Sequence, residues 1–311
     1  MADDFEQGGS KLYASLARTY CDDPLVAAIV GEETRWEAPL RLFGAVHYLE
    51  LSGMVQQPWA KFRGVLEANR DWLTRFVAEQ PVQTNEVQRC WGLLPAFLAA
   101  VDGRPLDLVE LGPSGGLNLF WDRYAYRYGE ASWGDGNAGL LLSGRAEGGP
   151  PGSLFDRGVE VGRRIGIDRR PVDVMTDHGA RLLEAFVWAD QSERLERVRR
   201  AIDIARRDPP RLLEGDYMEV LPAVLAQRGL DRLTVVYHSV STVYVSPAER
   251  RSIEEMLAAD GRRGSLARVS YEVDPDAPTF HGFALDLDLW PGGRRRLARL
   301  DGHANSLEWV A

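Results

Sequence analysis

The sequence predicts an α/β protein in which a mostly parallel sheet, with helices on both faces, follows an N-terminal helical domain. Three observations carry this. Residues 1–100 hold apolar positions at helical spacing and no run with the two-residue alternation of a strand. From Gly103-Arg104-Pro105 onward, short β-rich runs alternate with amphipathic segments, the pattern of strands joined by helices in a parallel sheet. Where the two regimes meet stands LDLVELGPSGGLNLFW (106–121), an apolar run ending in an acid, then a glycine-rich turn, then an apolar run able to start a helix.

Each element has its own signal. Leu12, Leu16 and Tyr20, then Leu40, Phe43, Val46 and Leu49, then Trp72, Phe76 and Val77 mark helical faces. TNEVQRCWGLLPAFLAAV (84–101) predicts a helix capped by Thr84 or Asn85, with Glu86 in the first turn, where the helix dipole favours an acid. LDLVEL (106–111) is the first strand. VEVGRRIGID (159–168), RLLEGD (211–216), LTVVYHSV (233–240) and LARVSYEVD (266–274) follow as strands two to five. GARLLEAFVW and ERLERVRRAIDIAR read as helices, as does SPAERRSIEEMLAAD (246–260), with Ser246 at its cap and Pro247 at its first position. FALDLDLW and SLEWVA, joined by a glycine-rich link, read as a terminal pair of strands, and the glycine-rich stretch 129–158 as an inserted loop or small lid. The expected division is a helical domain over 1–102 and a Rossmann-like domain over 103–311.

The bulk properties narrow the class. At 311 residues, 45% hydrophobic and 27% charged, the chain has the composition of a soluble globular protein with a sizeable core. A net charge of -9 argues against nucleic acid as partner. The basic residues are nearly all arginine, with lysine only at Lys11 and Lys61, and Arg294-Arg295-Arg296 reads as a solvated face. Cys21 and Cys90 are far apart and form no C-x-x-C pair, which suits a reducing cytoplasm and gives no zinc framework. The five histidines are dispersed, so no metal site is expected. The polar, acidic start MADDFEQGGSKLY is no secretory signal, and no apolar run reaches the roughly 20 residues of a membrane span. The expectation is a cytoplasmic protein acting on a small molecule, with neither nucleic acid nor membrane as partner and a homodimer left open.

GPSGG supports three chemistries. A dinucleotide fingerprint needs G-x-G-x-x-G, and here Ser114 and Leu117 occupy two of the glycine positions. A serine hydrolase would use Ser114 as the nucleophile of a G-x-S-x-G elbow, with His281 or His303 and an acid such as Asp286, Asp288 or Asp301. Only helices precede this elbow, however, and no oxyanion loop of the HGGG type exists. An adenosyl-cofactor site accounts for more residues. Glu110 ends the first strand, and Gly112, Ser114 and Gly116 are small enough for close backbone approach. The following helix start, near Asn118, would offer free amides to the ligand's carboxylate. Asp168 ends strand two and suits a ribose; Asp216, with Tyr217 beside it, ends strand three and suits the adenine region.

For chemistry beside such a cofactor, His238 ends strand four at the carboxyl edge and is a candidate general base, with Tyr244 just beyond it. Asn85, Glu86, Arg89, Tyr126 and Glu272 are the candidate substrate contacts, and Trp133, Trp188 and Trp290 would suit an apolar acceptor pocket. His47, inside FGAVHYLEL, reads as a packed core histidine.

ELGPSGGLNLFWDRYAYRYG (110–129), with TNEVQR upstream and GIDRRPVDV, FVWADQ, EGD and VVYHSV downstream, resembles domain of unknown function 2332, a bacterial family common in actinobacteria. The resemblance covers nearly the whole chain. It implies the fold of a class I S-adenosylmethionine-dependent methyltransferase with a helical N-terminal part, and S-adenosylmethionine as cofactor, but no substrate. The chain departs from the family pattern at Pro113-Ser114-Gly115-Gly116 and at Ala189. The resulting expectation is methyl transfer to an oxygen or nitrogen of a small molecule. The alternatives are the serine hydrolase and a non-catalytic protein of the same fold that binds a nucleoside-type ligand.

Overall fold

A computed structural model describes residues 1–31, 37–277 and 282–311. His281, one of the two candidate hydrolase histidines, lies outside them. The chain opens with helices α1 (Ala2–Gln7), α2 (Lys11–Tyr20), α3 (Pro24–Val30), α4 (Ala38–Leu51), α5 (Phe62–Ala68), α6 (Arg70–Glu79) and α7 (Arg89–Ala100). Strand β1 (Leu106–Leu111) follows, then a 3-10 turn (Leu117–Arg123) and the short strands β2 (Ala125–Tyr128), β3 (Ala131–Trp133), β4 (Leu141–Ser143) and β5 (Arg145–Glu147). Next come β6 (Val161–Asp168), α8 (Asp177–Ala185), α9 (Ser192–Ala205), β7 (Arg211–Glu214), α10 (Tyr217–Ala226) and β8 (Leu233–Ser239). The chain ends with α11 (Pro247–Gly261), β9 (Leu266–Val273), β10 (Phe283–Trp290), β11 (Arg294–Leu300) and β12 (Ser306–Trp309). Among the described residues no helix is long and apolar enough to cross a membrane.

The chain forms two compact units: residues 1–84 with 172–199, and residues 85–171 with 200–311. Residues 85–102, expected with the helical domain, group with the sheet-bearing unit, and the segment around α8 groups with the helical unit. Helix α7 joins the sheet-bearing unit because it is apolar nearly all round and packs against β9 and β10. In the first unit the core is aromatic: Phe5 meets Tyr13, Phe43 and Trp188, and Tyr13 meets Trp59. His47 is buried with Nδ1 directed at the Val187 carbonyl at 2.9 Å, the packed histidine its sequence setting suggests.

The second unit is a mixed α/β layer structure on a large, mostly parallel sheet ordered β5-β12-β11-β10-β9-β8-β1-β6-β7. The five strands β7-β6-β1-β8-β9 are parallel. In chain order they read 3-2-1-4-5, so the winding reverses between β1 and β8. Val109, Leu111, Ile167, Val236 and Leu266 of this part pack with Leu221 and Leu225 of α10 and Ile253 and Leu257 of α11. The antiparallel end differs from the sequence expectation. FALDLDLW does not pair with SLEW; the strand RRRLARL lies between them as β11. Arg294-Arg295-Arg296 is thus a strand rather than a merely solvated face. Residues 129–158 are not a plain loop either: β3 and β4 flank β2 in a small second sheet, and β5 extends the large one.

Candidate functional site

The glycine turn forms where β1 ends. Gly112 takes φ +75° and Gly116 φ +74°, left-handed conformations that a glycine adopts without steric cost. Between them Ser114 sits at φ +54°, unusual for a residue with a side chain. A Cβ on Gly112 would lie 2.7 Å from both the Tyr217 hydroxyl and Ser241 Cβ, so only glycine fits the carboxyl edge here. Gly116 also packs closely on a neighbouring segment. Its missing Cβ makes room for Pro210, 2.9 Å away, and so lets the turn seat on the neighbouring segment.

The amides expected to be free are largely committed. Gly112 N–H donates to Ile167 O, Ser114 N–H to Asp168 Oδ2 at 2.9 Å, Gly116 N–H to Pro113 O, and Leu117 N–H to Asn85 Oδ1 at 3.1 Å. The segment after the turn is a 3-10 helix and not an α-helix, because Phe120 leaves helical geometry. These four amides are thus engaged within the protein. Asn85 is likewise no helix cap. Helix α7 starts only at Arg89, and the Asn85 side chain instead pins the glycine turn.

Beneath the turn lies a buried polar cluster. Glu110 accepts from the Tyr237 hydroxyl at 3.1 Å and from the Asn118 side chain. Burial pushes its carboxyl up to about 8, with the Asp168 charge adding to the effect and Tyr237, Arg89 and Asn118 opposing it. The Cys90 thiol, itself pushed up by burial, donates to Asn118 Oδ1 at 3.3 Å. Glu86 accepts from the Gln88 amide. Arg89 reaches the carbonyls of Gly302 and Ser239 at 3.2 and 3.3 Å and so ties α7 to the end of β8.

The two aspartates that look alike in sequence have different surroundings. Asp168 ends β6, with Oδ2 on Ser114 N–H and Oδ1 on Arg170 N–H at 2.8 Å, and burial raises its carboxyl. Asp216 caps α10 through the Met218 amide and pairs with Arg169, which together with the cap hold its carboxyl low. Asp216 is thus occupied by a cap and an arginine, whereas Asp168 accepts from two backbone amides.

On the other side of the turn, His238 lies opposite Ser270 in the β8–β9 pairing, so Glu272, two residues on, shares that face. Glu272 Oε1 lies 2.7 Å from His238 Nδ1 and also accepts from the amides of Ser241 at 3.1 Å and Thr242 at 3.3 Å. Against its burial, these donors and the imidazole hold the Glu272 carboxyl below its usual range. The chain turns sharply here, with Val240 at φ +54°, a costly conformation for a β-branched residue. Tyr217, buried and with its hydroxyl pushed up, is directed at Ser241.

The structure therefore brings together Glu110, Gly112, Ser114, Asn118, Asp168, Tyr217, His238 and Glu272 around the carboxyl ends of β1, β6, β8 and β9. Tyr126 stands apart in the small sheet, with its hydroxyl on Trp121 O at 2.6 Å and its ring beside Trp133. Tyr244 is exposed in the turn after β8. Trp188 belongs to the aromatic core of the first unit, and Trp290 packs over Gly261. The hydrolase acids are engaged elsewhere: Asp286 with Arg294 and Arg296, Asp288 with Arg268, and Asp301 with backbone amides of its own loop. Sequence reasoning missed Tyr237 and Ser241. Their positions beside His238 in VVYHSVS were the available signal. Among the described residues no group of His, Cys, Asp and Glu is placed to hold a metal ion.

Residues 1–309 match DUF2332, described as uncharacterized protein conserved in bacteria. The chain belongs to this family. The match runs through both units, so the helical unit and the sheet-bearing unit are common property of the family and not a chance fusion. A search of curated proteins finds no match.

Proposed function

We propose that the protein is a Rossmann-like, S-adenosylmethionine-dependent methyltransferase acting on a small molecule. The observation that carries this is the position of Asp168. It ends the second strand of a 3-2-1-4-5 parallel core and hydrogen-bonds the glycine turn after the first strand. In open α/β sheets the ligand crevice lies outside the carboxyl ends of the strands, where the winding reverses. That place is the gap between β1 and β8.

The donor set suits an adenosyl group. Each Asp168 oxygen carries one backbone hydrogen bond and keeps acceptor capacity, so vicinal ribose hydroxyls have one oxygen each. Its neighbour Arg169 is turned to Asp216 and does not compete. When bound, S-adenosylmethionine supplies an electrophilic methyl group on a sulfonium sulfur. With that group bound, Asp168 would orient the ribose and His238 at the crevice would take a proton from the acceptor.

Calorimetry with S-adenosylmethionine and S-adenosylhomocysteine tests this directly. Binding of either should weaken at least tenfold in Asp168→Ala, while Ser114→Ala stays within a few-fold. Absence of binding by both ligands overturns the reading. A second reading, a serine hydrolase on Ser114, draws on the φ of +54° at that residue in a strand-to-turn junction. Labelling by a fluorophosphonate probe that disappears in Ser114→Ala would favour it instead.

A further inference from the structure

We infer that Glu272 is the positioning residue of His238, fixing the ring so that Nε2 receives the proton of an acidic hydroxyl, a phenol or an enol, on the methyl acceptor. The inference rests on the methyl-transfer reading for its substrate class, while the pairing of the two side chains stands on its own geometry.

The tautomer follows from the contacts. Glu272 is an ionised carboxylate held below its usual range, and so is acceptor-only. The hydrogen bond of 2.7 Å therefore requires the proton on His238 Nδ1, which leaves the lone pair on Nε2. The same Oε1 also gathers the amides of Ser241 and Thr242, so one atom fixes both the ring and the bend at Val240. A carboxylate that only holds a loop looks different in this protein. Asp301 spreads four donors over both oxygens, whereas Glu272 places its donors on Oε1 and leaves Oε2 buried with no partner among the described residues.

The acceptor class follows from the base. A neutral amine attacks through its own lone pair and sheds a proton afterwards. A hydroxyl must lose its proton as it attacks, and an imidazole is matched to one of phenolic acidity, about 10, better than to an aliphatic alcohol. The oxygen lone pair forms the new O–CH3 bond, and the C–S pair stays on the now neutral sulfur. The proton passes to Nε2, and the imidazolium formed is stabilised by the Glu272 charge across Nδ1.

Long-range nitrogen–proton correlation spectra of the histidine rings, on the ligand-free protein labelled with 15N, test the pairing without any turnover. His238 is assigned by the resonance lost in His238→Gln. The wild-type ring should show the Nδ1–H tautomer. Glu272→Gln keeps an acceptor for Nδ1–H and should retain that tautomer, whereas Glu272→Ala should return the ring toward the Nε2–H tautomer. A wild-type Nε2–H ring, or an Nδ1–H tautomer that persists in Glu272→Ala, overturns the inference. Failure of S-adenosylmethionine binding with these spectra as expected removes only the substrate class. Once a cofactor binds, faster methylation of amines than of matched phenols contradicts that class.

Discussion

The two ends of the large sheet handle buried carboxylates in opposite ways. At the antiparallel end Asp274, Asp286 and Asp288 each meet a guanidinium, while Asp301 is held by amides of its own loop. Arg268 holds Asp288 at 2.8 Å, Arg294 and Arg296 hold Asp286 at 2.8 and 3.0 Å, and Arg296 also holds Asp274 at 2.6 Å. At the carboxyl ends of the parallel strands, Glu110, Asp168 and Glu272 receive a hydroxyl, a side-chain amide, backbone amides and one imidazole, and no arginine among the described residues. Acids neutralised by arginine are fixed in place and serve the fold. Glu110, Asp168 and Glu272, left to other donors, lie at the carboxyl ends of the parallel strands.

The largest expected effect lies at the arginine-rich end. Arg268 is nearly fully buried, so Arg268→Ala leaves the Asp288 charge uncompensated. It should cost about 3–5 kcal/mol in chemical denaturation. Changing both partners to apolar residues, Arg268→Met with Asp288→Leu, should recover most of that loss. Equal destabilisation by the single and double variants would mean that packing, and not charge, holds this end together.

Next in size is the pH response. The Glu110 carboxyl stands at about 8 against an ordinary 4.5, so the folded state retains a proton that the unfolded chain has lost between these values. Stability should be full below about 4.5, fall by up to about 1.4 kcal/mol per pH unit through that window, and level off above 8. Glu110→Gln keeps an acceptor for Tyr237 and should remove that slope. Asp286 has the opposite sign. Its carboxyl is held below 3.8, so its contribution is present above that value and is lost as the pH falls further. Denaturation midpoints from pH 3 to 9 for wild type, Glu110→Gln and Asp286→Asn check both limbs, and a flat wild-type profile between 5 and 8 would contradict the Glu110 environment.

Much of this layout was legible in the sequence. Strands one to five, the capping of α11 by Ser246 and the place of His238 follow from local periodicity and turn chemistry. The register of the antiparallel end did not follow, because RRRLARL carries its apolar residues late and its arginines look solvent-bound until Asp274 and Asp286 come across the sheet. The commitment of the turn amides was hidden for a similar reason. Asn85 and Asp168 reach the turn from 32 and 54 residues away, and no spacing rule records such a contact. The pairing of Glu272 with His238 was missed because a strand residue shows its face in sequence but not its partner on the next strand.

The smallest effect concerns Asp216, an acid at the carboxyl edge of the parallel strands that does meet an arginine. Asp216 and Asp168 both end a strand in sequence, but Asp216 caps α10 and pairs with a largely exposed Arg169. Asp216→Ala should cost about 1 kcal/mol through the lost cap, and Asp216→Asn close to nothing, since asparagine caps equally well. Arg169→Ala should cost less than about 1 kcal/mol, as exposed pairs do. If Asp216→Asn instead abolishes S-adenosylmethionine binding while folding is unchanged, the division between arginine-held and neutral-held acids fails at this position. The crevice would then extend over β7 as the sequence alone suggests.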